Sequence, residues 1–372
     1  MKIKIKREPI QKVFQIAAAV APARSPKAIL QNIKLEVTKK DAILTATDME
    51  VGVRLNVPEV EVLAAGSAVI PVQRLNAILR ETSDEILEID CESEKILITG
   101  VNSRFELQGQ NPDEFPEVAD FNEKDYYEIS AQIFKEIIRR TLFATDAESS
   151  RFALGGVLLE VDDDKIIAVG TDGRRLAKME GVVKVVGKPV SGETKTIVPS
   201  RAMQLMERML PDADVTIQLA ARTNDLLLKD ANGIFYSRLV EGRFPPWRDV
   251  VPKRDESKRI DIPVGPMYSA LRQAAIVSSE ESRGIDFTFK DGSLVLSNST
   301  AEVGQSRIEM PVPFKEEELT ITLDHRYVAD FLKVLKPDRT FTLDVENSDQ
   351  PAYCETDDNY GYVIMPLSRD RK

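Results

Sequence analysis

The sequence predicts an α+β fold made of three tandem copies of one module, with helices on one face of antiparallel sheets. Three observations predict it. Leu35-Glu36-Val37 recurs 124 residues later as Leu159-Glu160-Val161, and at the same offset Thr47-Asp48 recurs as Thr171-Asp172. Strand-like stretches alternate with period two, as in Lys2-Ile3-Lys4-Ile5 and Lys95-Ile96-Leu97-Ile98, so one sheet face is buried and the other wet. Between them lie apolar residues at helical spacing, such as Leu75, Ile78 and Leu79, or Phe134, Ile137, Ile138 and Thr141.

In chain order, the first copy opens with a strand at its lysine-isoleucine alternation and a helix over Ile10–Val20, followed by the strand of Leu35–Val37. Its second half repeats the plan: Ala68-Val69-Ile70-Pro71 leads into a helix at Val72–Thr82, then strands at Glu85–Asp90 and Asn102–Gln108, closing on Phe115-Pro116. The second copy has helices at Ala131–Ala144 and Ser200–Leu210, the latter after Thr196-Ile197-Val198-Pro199, a strand at Val215–Leu219, and closes on Phe244-Pro245. The third is weaker but in register. Its helices fall at Gly265–Ser278 and His325–Lys336, Phe287-Thr288-Phe289 takes the Leu-Glu-Val position, and Met365-Pro366 closes it. Each module therefore reads as strand, helix and several strands, performed twice. The expected boundaries are residues 1–121, 127–250 and 259–372, joined by charged linkers near Ala119–Tyr126 and Val251–Lys258.

Composition narrows the chemistry. The 372 residues carry 50 Lys and Arg against 61 Asp and Glu, a net charge of −11, which speaks against a basic, histone-like DNA binder. The single histidine, His325, excludes HExxH and multi-histidine metal sites. Cys91 and Cys354 cannot build a CxxC ribbon or a disulfide framework and suit a reducing cytoplasm. No apolar h-region follows MKIKIKREPI, and no apolar run approaches the ~18 residues of a membrane span. The expectation is a cytoplasmic protein without a membrane partner.

No enzyme motif survives inspection. Gly181–Lys188 is one residue too long for a P-loop, and it reads as a strand with a turn. Asp162-Asp163-Asp164 reads as a solvated hairpin turn, and Asp324-His325 as a helix N-terminus. No catalytic residue, metal site or cofactor is expected.

Divided by element, the charge looks different. The six predicted helices hold twelve Lys and Arg and four Asp and Glu, so they sum to +8 and the remainder to −19. Helices sharing a face would form a basic track suited to phosphate contacts without sequence readout. The alternative is that Lys and Arg decorate exposed helix faces because they are good helix formers; the recurrence over six helices in register with a repeat favours the track.

The ordered set of Arg151-Phe152-Ala153-Leu154-Gly155-Gly156-Val157-Leu158-Leu159-Glu160, Thr171-Asp172-Gly173-Arg174-Arg175-Leu176, Glu241-Gly242-Arg243-Phe244-Pro245 and Tyr362-Val363-Ile364-Met365-Pro366-Leu367 resembles the bacterial DNA polymerase III β subunit, the sliding clamp, over essentially the whole chain. The resemblance implies a non-catalytic replication processivity factor. It would form a head-to-tail homodimer whose clamp modules close into a ring around double-stranded DNA, without sequence specificity. It implies a clamp-loader ATPase that opens the ring, and replicative and repair DNA polymerases that dock on it.

Carried over by position, the resemblance implies a partner-peptide pocket of Leu154, Thr171, Gly173, Arg175, Leu176, Pro245, Val250, Tyr327, Val363, Ile364, Met365, Pro366 and Leu367. Apolar walls would bury the peptide, and Thr171 and Arg175 would orient its polar atoms. It implies a dimer interface of Phe105 and Leu107 against Ile276 and Val277, with Arg104 and Lys95 facing Glu302. Arg24, Arg74, Arg80, Arg139, Arg140 and Arg201 are the expected DNA-facing residues, with the loop Glu148-Ser149-Ser150 a further contact. Several positions depart from the family pattern. Arg174 stands where His or Tyr often follows the glycine, Ala153 where an aromatic is common, and Ser282 where an apolar rim residue is expected. The tail Ser368–Lys372 runs on past the pocket strand. Two competing readings are a peptide-binding repeat scaffold without DNA encirclement and a hydrolase using carboxylate-rich loops.

Overall fold

The computed structural model describes residues 1–148, 153–188, 196–252, 258–280, 282–300 and 303–367. The chain forms two compact units, one of Met1–Gln132 with Val183–Leu239, the other of Ile133–Val182 with Val240–Lys372. Arg151, Phe152, Ser149, Ser150, Glu302 and the tail from Ser368 lie outside the described residues.

The first unit holds two antiparallel sheets. In the five-stranded sheet the order is Val60–Ala64, Lys2–Lys6, Ile86–Glu92, Lys95–Thr99, Arg104–Gln108. The nine-stranded sheet runs from Lys184–Val186 through Tyr126–Ser130, Thr216–Ala221, Asp225–Lys229 and Gly233–Arg238 to Val51–Asn56, Ala42–Thr47, Asn32–Val37 and Gly66–Pro71. In the second unit, Gly156–Asp162, Lys165–Thr171, Arg175–Val182, Tyr360–Ile364, Ala352–Glu355, Thr340–Val345 and Lys258–Pro263 pair in that order. Its four-stranded sheet orders Gly304–Pro311, Ser293–Thr300, Gly284–Lys290 and Leu319–Asp324.

The repeat and the compact units divide the chain differently, and strand pairing explains why. Ser237 of the second copy lies opposite Val51 of the first. Likewise Arg175 and Leu176 of the second lie opposite Ile364 and Val363 of the third. Each pairing continues one copy's sheet into the next and protects an edge that a solitary module would expose. The middle copy thus contributes strands to both units.

Among the described residues six helices carry the packing: α1 (Arg7–Val20), α2 (Val72–Glu81), α3 (Ala131–Thr141), α4 (Ser200–Met209), α5 (Val264–Ala274) and α6 (His325–Lys333). Their buried faces are the apolar stripes of the sequence, for example Ile10, Phe14, Ala17 and Val20 on α1 and Val72, Leu75, Ile78 and Leu79 on α2. Boundaries differ from expectation for local reasons. Helix α1 starts three residues early because the Arg7 amide donates to the Glu85 carbonyl at 2.9 Å, so the end needs no capping side chain. Helix α3 stops where the Thr141 hydroxyl donates back to the Ile137 carbonyl at 2.7 Å, and one 3-10 turn, Leu142–Ala144, follows. Asp324 caps α6, its carboxylate accepting from the Arg326 amide at 3.0 Å, and the helix ends at Lys333, short of Lys336.

The three acidic residues 162–164 do form a hairpin turn: Asp162 pairs with Lys165, and Asp163 has φ +52°. Among the described residues no cluster of three His, Cys, Asp or Glu is placed to hold a metal, and no helix is long and apolar enough to cross a membrane. Cys91 and Cys354 are buried and unpaired, and burial pushes both thiols up from their ordinary pKa.

Candidate functional site

Thr171–Arg175 forms a polar turn in the second unit, held by its own side chains. The Thr171 hydroxyl donates to the Arg175 carbonyl at 2.6 Å and accepts from the Gly173 amide at 3.1 Å. Asp172 Oδ1 accepts from the amides of Arg174 and Arg175 at 2.9 and 3.0 Å. Gly173 sits at φ +84°, a left-handed conformation that glycine adopts without steric cost.

Arg175 locks this turn to the rest of the unit. Its Nε donates to Asp172 Oδ2 at 3.1 Å, Nη1 to Asp330 Oδ2 at 2.7 Å and Nη2 to the Phe143 carbonyl at 2.7 Å. Its guanidinium also lies 4.5 Å from the Tyr327 ring centroid. Burial works against the Arg175 charge, but Tyr362, Asp330 and Asp172 outweigh it and hold the pKa above the ordinary arginine value. Behind the turn, Phe331 stacks on Tyr360 and Tyr362 at centroid distances of 5.6 and 5.1 Å.

Beside this turn opens a cavity of about 270 Å³ lined by Leu154, Thr171, Gly173, Arg174, Arg175, Leu176, Pro245, Trp247, Val250, Val363 and Met365. Nine of the thirteen residues expected there are thus brought together. The other four are not. Tyr327 stacks on Arg175, Ile364 is fully buried in its strand, Pro366 lies beyond the lining, and the Leu367 amide donates to the Thr322 carbonyl at 2.9 Å. The Thr171 hydroxyl and all three nitrogens of the Arg175 guanidinium already bond the protein's own backbone and carboxylates. Sequence reasoning missed Trp247 and Arg174 as lining residues. Trp247 follows Phe244-Pro245-Pro246, and a large aromatic two residues past a repeated Phe-Pro was the available signal.

The basic residues separate into two kinds. Arg24 and Arg74 are exposed. Arg80 is exposed and paired with Glu81 at 2.7 Å, and Arg139 is half-exposed beside Glu136 at 3.3 Å. Arg201 pairs with Asp48 at 2.6 Å while its side chain stays 55% exposed. Arg140 does not fit a DNA-facing role. It is buried, paired with Glu136 and Asp358 at 3.0 and 2.8 Å, and lies over the Tyr360 ring. Asp358 responds: burial raises its pKa, but the Thr356 and Arg140 hydrogen bonds win and hold it below the usual carboxylate value.

Three family models cover nearly the whole chain: the N-terminal domain of the DNA polymerase III beta subunit matches residues 1–119, the central domain 128–246 and the C-terminal domain 248–368. The chain belongs to the DNA polymerase III beta subunit family. It is 28% identical over 368 residues to the beta sliding clamp of Chlamydia muridarum, covering 99% of each chain. The crystal structure of the Pseudomonas aeruginosa beta subunit superposes with a TM-score of 0.91 at 27% identity, covering 99% of this chain and 100% of that one. A Pseudomonas aeruginosa sliding clamp bound to griselimycin gives a TM-score of 0.91 at 26% identity over the same shares. The beta-subunit family accounts for the threefold repeat and the antiparallel sheets, and its members are non-catalytic processivity factors.

The beta-subunit edge strand is also in view. Arg104–Gln108 lies at the outer side of its sheet, with Phe105 and Leu107 half-buried and alternate residues exposed. Ile276 is 75% exposed, and Val277 beside it is half-buried. Lys95 pairs with Glu106 at 3.8 Å within the chain; its expected partner Glu302 lies outside the described residues.

Proposed function

We propose that the protein is a replication processivity factor: a homodimeric ring that encircles duplex DNA, slides along it, and tethers DNA polymerases and other partners through the cavity beside Thr171–Arg175. The observation that carries the tethering is that cavity itself. It is apolar on Leu154, Leu176, Pro245, Val250, Val363 and Met365, and it is braced by an arginine whose three nitrogens each bond within the protein. Burying a partner's apolar side chain there is worth about 25 cal/mol per Å². The dimer would join Phe105 and Leu107 of one copy to Ile276 and Val277 of the other. The three modules would follow the sequence repeat, at residues 1–121, 127–250 and 259–372.

Sliding requires contacts that are weak and indifferent to sequence. Arg24, Arg74, Arg80, Arg139 and Arg201 supply phosphate contacts of that kind, held loosely because three of the five already share their charge with a neighbouring acid. The acidic remainder of the molecule repels DNA and leaves the basic path favoured. A clamp-loader ATPase opens the ring, and cytoplasmic residence follows from the work.

The test is topological. The protein is loaded with a clamp loader and ATP onto nicked circular DNA, which is then linearised. Retention on the circle through moderate salt and loss from the cut ends is the expected result. Persistence on linear DNA, or no retention on the circle, overturns encirclement and leaves a peptide-binding scaffold.

A further inference from the structure

The repeat makes two junctions between modules within the chain. Where the first module meets the second, the third strand after its first helix, Val51–Asn56, pairs with the last strand of the next module, Gly233–Arg238. Where the second meets the third, Arg175–Val182 pairs with Tyr360–Ile364 by the same rule. The rule leaves over Gly304–Pro311 of the third module and Arg104–Gln108 of the first, and both lie at sheet edges. Joined between two protomers, they make a third junction of the same kind, at the head-to-tail interface proposed above.

At each junction within the chain, an arginine of the middle module reaches the C-terminal end of a neighbouring module's helix. Arg201 on α4 donates to the Val20 carbonyl of α1 at 3.4 Å, and α1 has no basic residue in its own last turn. Arg139 on α3 donates to the Val334 carbonyl at the end of α6 at 3.2 Å. The last carbonyls of a helix lack partners within it and form the negative end of its dipole, so a cation there is stabilising.

Arg139 is the ninth residue of α3, and Arg272 is the ninth residue of α5. Both helices follow directly on a strand, run for 11 residues and continue into a 3-10 turn. Arg272 is exposed, and among the described residues its guanidinium meets only the Tyr268 ring, 5.9 Å away. The same count finds its acceptor. Val334 stands at the tenth place from the start of α6, and the tenth place of α2 is Glu81. The acid changes sides at the third junction. Arg139 pairs with Glu136 on its own helix, whereas the matching place on α5 is Ser269 and the acceptor helix brings a carboxylate instead. That carboxylate pairs only with the adjacent Arg80 in the chain and stays exposed.

We propose that Arg272 of one protomer donates to Glu81 of its partner, at the carbonyl that ends α2 and at the carboxylate beside it, and braces the third junction as Arg139 braces the second. This rests on the reading of the protein as a head-to-tail dimer. It sets a polar contact beside the apolar one, since Ile276 lies four residues beyond Arg272. A closed two-protomer ring contains the junction twice, so each weakening enters dimer dissociation squared.

The dimer dissociation constant is measured by analytical ultracentrifugation for the wild type, Arg272→Glu, Glu81→Arg and the double variant. A reversed charge weakens each junction about threefold to tenfold, so either single change is expected to raise the constant about tenfold to a hundredfold. The double variant restores the attraction and is expected to recover most of that loss. In a Phe105→Asp chain, held monomeric, Arg272→Glu is expected to leave the melting temperature unchanged; a lower value assigns Arg272 to the fold of its own module and overturns the contact. A dissociation constant unchanged in Arg272→Glu, or two reversals whose effects simply multiply, overturns the contact and leaves the dimer standing. A wild-type chain that is monomeric at every concentration overturns the dimer reading together with it.

Discussion

In the first unit Thr47, Asp48 and Val51 build the same turn that Thr171, Asp172 and Arg175 build in the second. The Thr47 hydroxyl donates to the Val51 carbonyl at 2.7 Å and accepts from the Met49 amide at 2.9 Å, and Asp48 Oδ1 accepts from the amides of Glu50 and Val51 at 3.0 and 2.7 Å. What surrounds the two turns differs. With Phe115-Pro116 set against Phe244-Pro245, Val118 corresponds to Trp247 and Phe121 to Val250. In the first unit this segment closes over the turn: Val118 packs against Gly52, and Phe121 is buried with Ala220, Leu227 and Ile234. In the second unit the residue matching Gly52 is Leu176, Trp247 is buried, and Val250 remains 39% exposed. Beside a shared turn, Gly52, Val118 and Phe121 thus line a filled groove, and Leu176, Trp247 and Val250 an open one.

The charges diverge in the same way. Asp48 gives its second oxygen to Arg201 on α4, whereas Asp172 gives its own to Arg175, three residues along the same turn. The larger expected effect therefore belongs to the second unit. Arg175→Ala takes the partner of Asp172 Oδ2 and leaves Asp330 with Lys333 alone, and it is expected to cost about 3–5 kcal/mol, the scale of breaking a buried ion pair from one side. Denaturant unfolding measures it, and a loss below about 1 kcal/mol would mean that Arg175 does not brace the turn.

Copying the second unit's residue into the first tests the packing account. A Cβ at Gly52 would stand 2.7 Å from Val118 Cγ1 and 2.9 Å from Cγ2. Gly52→Leu is therefore expected to destabilise by about 1–3 kcal/mol through overpacking. Val118→Ala in the same chain should recover part of that loss. If the two changes instead cost the sum of their separate effects in a double-mutant cycle, Val118 is not what closes the groove.

The contrast also shows what a sequence can announce. The turn was readable because its chemistry is local: Thr-Asp recurs at fixed spacing, and its oxygens satisfy amides two to four residues away. The strands and helix faces were readable because Ile3, Ile5, Phe14 and Val20 keep strict periods. The start of α1 was not, since its first amide is satisfied by Glu85, far along the chain. Arg139 and Arg140 look alike in sequence, yet only the second turns inward, because Asp358 and Tyr360 wait for it in a distant hairpin. Trp247 is legible as an aromatic beside a repeated Phe-Pro, but its place on the cavity wall depends on Leu154, Leu176 and Val363, all distant in the chain.

The smallest effect isolates the backbone of the shared turn. Gly173 has φ +84° and Met49, at the matching position, φ +81°. A Cβ at Gly173 would meet nothing within 4 Å, so Gly173→Ala carries only the left-handed backbone penalty, about 1 kcal/mol. Met49 already bears that penalty and, being 40% exposed, has little packing to lose. Met49→Gly is expected to stabilise by about 0.5 kcal/mol, since relief of backbone strain is partly offset by the greater freedom of glycine in the unfolded chain. Thermal melts of the two variants should therefore shift in opposite directions. Shifts of the same sign would mean that the two turns, despite matching hydrogen bonds, are held by different forces.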